Sequence, residues 1–261
     1  MPISVPLPEF DTRLTKSVHA PARASALPHP LLSFYDALFT ALGPQHWWPG
    51  RTPFEVIVGA ILTQNTSWGN VERAIANLRR EKLLSPAAVE RVSAAKLAAC
   101  IRSSGYFRQK AKKLKAFVQF LRKNYGGSLA RMFRTPTAEL RRQLLAVYGL
   151  GPETADSILL YAGGHRVFVV DAYTRRILER HGQGQPRDTY DEIRGRFERH
   201  LPGHVALYNE YHALLVRAGK DWCRAKKPRC QDCPLGPFLA QTEKTGQVPY
   251  GSTREEAAVA P

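Results

Sequence analysis

The chain has no apolar run near the roughly 20 residues a membrane-spanning helix needs. Its longest candidate, FEVIVGAIL, reaches about half that length, which predicts a soluble protein. Cysteine is scarce: of four in 261 residues, three crowd into one short segment, so a disulfide framework spread over the fold is excluded. Acidic residues are under-represented, 22 Asp and Glu against 38 Lys and Arg, for a formal charge of +16. A surplus of that size predicts a polyanionic partner, although ribosome-associated, membrane-surface and heparin-binding proteins share it. No fixed-period repeat is present, which argues against a solenoid. The opening MPISVPLPEFDTRLTKSVHAPARASALPHP lacks the continuous apolar core of a secretory signal. It predicts a disordered arm on an intracellular protein, with an organelle transit peptide as the alternative.

From Leu31 onward the apolar spacing is helical: Leu31, Phe34, Leu38, Leu42; Val71, Ile75, Leu78; Leu114, Phe117, Val118, Leu121. The predicted fold class is all-α. Short Gly- and Pro-rich breaks such as NYGGS, YGLGP and HGQGQPRD join the helices. One break is tighter than the rest. In LLAVYGLGPETADSILLYA, Leu140, Leu144 and Val147 mark the face of one helix, and Ala155, Ile158, Leu159 and Ala162 that of the next. The corner between them is a helix-hairpin-helix. Gly149 and Gly151 allow conformations and close approaches that a Cβ would obstruct, and Pro152 suits a first helical turn. The free N–H groups and positive dipole end of the second helix can hold a phosphate without reading sequence. An ordinary helix-helix turn would read the same way.

Further on, HRVFVVDAYTRRILERHG runs apolar to Val170, reaches Asp171 and turns helical. Asp171 fits an N-cap. A carboxylate there, just beyond a phosphate-gripping hairpin, can also stabilise positive charge on a deoxyribose and deprotonate a water.

These elements, in this order over roughly residues 31 to 240, resemble the endonuclease III superfamily of DNA glycosylases. The resemblance implies a two-domain α-fold: a six-helix barrel over 51–163, and a second helical domain built from 27–50 and 164–246. Segments 1–26 and 247–261 are expected to be a disordered basic arm and a disordered tail. It implies double-stranded DNA with a damaged base as the partner of a monomer, the nucleotide flipped into the cleft, and Asp171 as the essential carboxylate. Members that also nick the strand carry a Schiff-base lysine where this sequence has Glu153. A carboxylate forms no imine, so a monofunctional, water-using enzyme is expected, although Glu153 also complements the helix dipole.

WWPG, LTQNTSW and Glu153 together are similar to the 3-methyladenine DNA glycosylase branch. By that likeness Trp47, Trp48 and Trp68 wall a base pocket whose indole faces attract cationic alkylated purines; packing at a domain seam is the plainer role for them. Gln64 falls where the family fills the gap left by the flipped nucleotide. SSGYFRQKAKKLKAF matches the wedge loop, with Tyr106 or Phe107 as wedge. Lys110, followed by Lys112, Lys113 and Lys115, is a candidate phosphate contact, and Lys220 a basic residue near the cleft. Cys223, Cys230 and Cys233 keep the family's iron–sulfur spacing, but the fourth position is Leu239. A 4Fe–4S cluster with a non-cysteine ligand (Asp232, Gln241 or Glu243) or a 3Fe–4S form is expected, zinc or no metal being the alternatives. Cys100 reads as a buried small residue. The rival functions are a glycosylase for oxidised or mismatched bases, with or without lyase activity, and a non-catalytic binder of distorted DNA. The expected location is cytoplasmic if the source is bacterial, otherwise nuclear or organellar.

Overall fold

A computed structural model describes residues 29–45, 47 and 50–239. The arm over 1–26, the tail over 247–261, Trp48, Gln241 and Glu243 lie outside the described residues. Within them the chain is helical and contains no strand. The helices start where the sequence provides starting signals: Pro30, Pro53, Pro86 and Pro152 each occupy a first turn, where the missing N–H costs nothing. Thr52, Ser85, Ser93 and Ser128 cap with their hydroxyls, and Thr189 forms a reciprocal capping box with Glu192.

The elements in order are α1 (Pro30–Leu42), α2 (Pro53–Leu62), α3 (Trp68–Arg80), α4 (Pro86–Arg91), α5 (Ala94–Cys100), α6 (Phe107–Tyr125), α7 (Leu129–Met132), α8 (Thr137–Leu145), α9 (Pro152–Ser157), α10 (Ala172–Arg180), α11 (Tyr190–His200) and α12 (Val205–Asp221). The apolar run of α2 is explained by its place: every residue from Phe54 to Leu62 is buried, and the included Glu55 is neutralised by Arg79 at 2.7 Å. α2 packs on α3, α6, α9 and the turn that follows α9. α1 lies against α12 and α11, tied by the Tyr211 hydroxyl, which donates to the Leu31 carbonyl at 2.7 Å. α10 also packs on α12. One continuous apolar core joins all of these helices.

Two links bring the segments that matter together. After α9 the chain widens into a π-helix, Ile158–Ala162, which rotates Tyr161 off the regular helical spacing. The segment before α10 is not a strand. Val167–Val170 run through the core as irregular chain, with the Val170 N–H donating to the Tyr190 hydroxyl at 3.3 Å. Behind α9, fully buried Asp156 accepts two bonds from Arg141, at 2.7 and 3.1 Å, and Arg141 also reaches Asp191 at 2.7 Å. This network fixes α8, α9 and α11 against one another and so sets where the hairpin stands relative to the start of α10.

Candidate active site and DNA-facing surface

Asp171 is the N-cap of α10: its Oδ1 accepts the Thr174 N–H at 2.7 Å. Capping uses one oxygen and leaves Oδ2 facing His212, whose Nε2 is 3.5 Å away. Burial opposes ionisation of Asp171, but the His212 charge and the Thr174 N–H outweigh it and hold the carboxyl below its ordinary value. Glu153, in the first turn of α9, moves the other way. Solvent reaches its side chain, yet protein crowds it on the remaining sides; this desolvation first, then Asp171, push its pKa up to about 7, with His212 partly opposing. Two carboxyl groups in one site thus have pKa values pushed in opposite directions, Asp171 held ionised and Glu153 near its midpoint at neutral pH, which suits a charge stabiliser beside a proton acceptor.

The aromatic lining follows. Trp47 and Trp68 lie with ring centroids 6.4 Å apart, and the Lys220 ammonium sits 5.9 Å from the Trp47 ring. The loop carrying Trp47 is held to α12 by the Gln45 N–H, which donates to Glu210 at 2.6 Å, and by Arg217, which donates to the Gln45 side chain at 3.1 Å. Tyr161 joins this wall: burial and then Asp171 raise its pKa well above the usual phenol value, opposed by a hydrogen bond with Trp47. The structure therefore gathers Trp47, Trp68, Glu153, Asp171 and Lys220, and adds two residues the sequence reading missed, Tyr161 and His212. His212 lies among apolar residues of α12, where a histidine reads as core.

The DNA-facing candidates separate. The Gln64 amide donates to the Thr154 hydroxyl at 2.8 Å and the Gly149 carbonyl at 3.2 Å, and its oxygen accepts from Lys113. Tyr106 is 66 % exposed with φ 44°, a left-handed conformation that points it away from the body. Phe107 does not project: it packs on the core, with Arg102 and Arg108 over its ring. Of the two wedge candidates, Tyr106 is the one that projects into solvent.

Lys110 corrects the expectation most clearly. It is 2 % exposed, and its ammonium donates to the carbonyls of Leu62 at 2.9 Å and Ser104 at 2.6 Å. Its pKa is pushed down to about 8, by burial and then by Lys113. It reaches no phosphate; it pins the loop before Gln64 to the loop before Tyr106. The glycines differ as well. Gly149 has φ +78°, and a Cβ on it would meet the Lys113 stem at 2.5 Å. Gly151 is extended with φ −87° and open space at its Cα, so nothing within the chain requires glycine there.

Cys223, Cys230 and Cys233 line one cavity, together with Arg180, His181, Trp222, Gly236 and Leu239. Arg180 donates to the Cys223 sulfur at 3.2 Å, and Arg176 to the Cys223 carbonyl at 2.7 Å. Leu239 faces the cavity with a hydrocarbon side chain that offers no ligand atom. Among the described residues no group of three or more His, Cys, Asp or Glu is arranged to hold a metal ion. Asp232 is engaged by Arg229 at 2.8 Å and is exposed. Cys100 is half-buried, where burial raises its thiol pKa.

A helical fold that joins a glycine hairpin, a helix-capping aspartate and a three-cysteine loop fits a class of DNA-processing enzymes. Sequence comparison identifies it: residues 58–202 match the profile of the HhH-GPD superfamily base excision DNA repair protein. The chain belongs to that superfamily, the DNA glycosylase family of base excision repair enzymes. It is 48 % identical over 210 residues to the "Putative DNA repair glycosylase MJ1434" of Methanocaldococcus jannaschii, covering 80 % of this chain and 94 % of the relative. Endonuclease III of Bacillus subtilis is 28 % identical over 192 residues, covering 74 % and 83 %. Among solved structures, H. pylori 3-methyladenine DNA glycosylase (MagIII) bound to 1,N6-ethenoadenine aligns with TM-score 0.65 at 28 % identity, covering 74 % of this chain and 98 % of that one.

Proposed function

We propose that this protein is a monofunctional base excision repair glycosylase that hydrolyses the N-glycosidic bond of alkylated purines such as 3-methyladenine in double-stranded DNA. The observation that carries the reading is the carboxyl pair, Glu153 beside Asp171 where strand-nicking relatives place a lysine. Ionised Asp171 stabilises the cationic sugar as the bond between base and C1′ breaks and the base leaves with the electron pair. Water adds its oxygen to C1′, and its proton passes to Glu153, whose raised pKa suits a base at neutral pH. A base already positive from N-alkylation departs neutral and needs no acid. Trp47 and Trp68 offer it electron-rich faces. The likeness to MagIII supports this branch of substrates.

Tyr106 wedges the duplex, Gln64 fills the vacated space, and the N–H groups around Gly149 and Gly151 take a phosphate, with Lys220 at the edge of the site. The barrel over 51–163 and the second domain of 27–50 with 164–246 meet at the cleft. Cys223, Cys230 and Cys233 fit an iron–sulfur cluster: three sulfurs around one cavity, with a guanidinium aimed at one of them. When bound, the cluster supplies a cross-link that shapes the basic 224–229 loop.

Incubation with methylated duplex DNA and chromatography of freed bases tests the reading, with Asp171→Asn and borohydride trapping on an abasic duplex as controls. The expected result is release of 3-methyladenine, loss of release in Asp171→Asn with binding retained, and no covalent adduct. A trapped adduct overturns the monofunctional assignment. Release of only oxidised or mismatched bases overturns the substrate, and binding without release overturns catalysis.

A further inference from the structure

His212 occupies the middle of α12, buried between Tyr161 and Asp171. Its Nδ1 shares a hydrogen bond with the Tyr161 hydroxyl, and its Nε2 lies 3.5 Å from Asp171 Oδ2. Among the described residues that Nε2 is buried with no hydrogen-bond partner. An imidazole nitrogen left so is costly and calls for a functional explanation. The phenol stays protonated in this setting and donates to Nδ1, which places the imidazole proton on Nε2, toward the carboxylate. Tyr161 is brought there by the π-turn at Ile158–Ala162.

Accepting the glycosylase reading of Asp171, we infer that His212, backed by Tyr161, is a positioning residue that holds Oδ2 of the catalytic carboxylate while the Thr174 N–H holds Oδ1. With both oxygens tethered, the carboxylate plane is fixed before DNA arrives and loses no orientation entropy in the reaction. The planar imidazole suits the place: with Nδ1 held by the Tyr161 hydroxyl, its Nε2 is aimed at Oδ2.

Three variants of the full chain test this: His212→Leu, of similar volume without an N–H; His212→Gln, which keeps a donor near the Nε2 position; and Tyr161→Phe. The readouts are single-turnover base release from methylated duplex and affinity for a duplex carrying an abasic analogue. His212→Leu is expected to slow release about ten- to a hundredfold with affinity unchanged, the effect of losing a hydrogen bond to a charged group. His212→Gln should recover part of that rate, and Tyr161→Phe should fall between Leu and wild type. Equal rates for Leu and Gln, or a Leu variant within about twofold of wild type, overturn the inference, since a packing role favours Leu. Asp171→Asn separates the two claims: if it still releases base, the glycosylase assignment of Asp171 is what fails. A measurement without turnover reads the same contact. Urea unfolding of wild type, Asp171→Asn, His212→Leu and the double variant should be non-additive by at least about threefold in the unfolding constant, and additivity overturns the pairing.

Discussion

Replacing Glu153 by Gln should make the protein more stable and less active, with both effects set by pH. The pKa of Glu153 rises from 4.5 to about 7 in the folded protein, through burial and then Asp171. A carboxyl whose folded pKa is raised favours the folded state only while protonated in both states. Below about pH 4.5 it costs nothing; between 4.5 and 7 the unfolded chain ionises first and stability falls; above 7 the penalty is complete. Because solvent reaches the side chain, screening reduces that penalty to about 1 kcal/mol. For a chain of this length such a change moves Tm by roughly 2–4 °C. Gln mimics the protonated acid and escapes the cost. Thermal melts of both proteins should therefore coincide near pH 4 and separate to that extent at pH 8, Glu153→Gln being the higher. In parallel, base release by wild type should rise about tenfold per pH unit below 7 and level above, while the Gln variant stays slow and flat. A Tm difference independent of pH, or of opposite sign at pH 8, would refute the environment assigned to Glu153.

Lys110→Ala strands the Leu62 and Ser104 carbonyls and should cost about 3 kcal/mol in urea unfolding. The salt slope of DNA affinity should stay unchanged, whereas exposed Lys112→Ala should lower it by about 1. Gly149→Ala combines positive φ with a collision against Lys113 and should cost about 1–2 kcal/mol in melting experiments. Gly151→Ala meets neither obstacle and should melt like wild type yet bind duplex DNA more weakly, because its Cβ stands where a phosphate approaches. Leu239→Cys adds a thiol to the cysteine cavity and should raise iron per protein measured by metal analysis; an unchanged ratio would argue against Leu239 facing the cluster.

What the sequence revealed, it revealed through residue types with local spacing. Asp171 was legible because a carboxylate ends an apolar run and starts a helix, and Glu153 because it follows a glycine hairpin by two residues. Tyr161 was hidden because a π-turn, which no apolar pattern announces, rotates it. His212 was hidden because its partners come from distant segments. Lys110 misled through its neighbours: a lysine-rich stretch reads as a solvated face, yet Lys110 precedes Leu114 by one turn and Leu121 by three, on the buried side of α6. Gly151 illustrates the reverse limit: the sequence suggests a required glycine, and nothing within the fold requires one there.

The tightness of the corner at Gly149 has a mechanical consequence. Between Gly149 and Thr154 the chain passes from a left-handed glycine through extended Gly151 into the first turn of α9, which begins at Pro152. Within it Glu153 feels the charge of Asp171, and Thr154 takes the Gln64 amide. Successive side chains on a helix diverge by about 100°, so residues 153 and 154 necessarily serve different neighbours. On the proposed function, the corner that grips a phosphate, the amide that fills the helix gap and the base that accepts the water proton would therefore move as one unit, braced from behind by Asp156 and Arg141. A longer loop would let the gripped strand shift relative to Glu153, and a misplacement of about 1 Å can cost a hundredfold in rate.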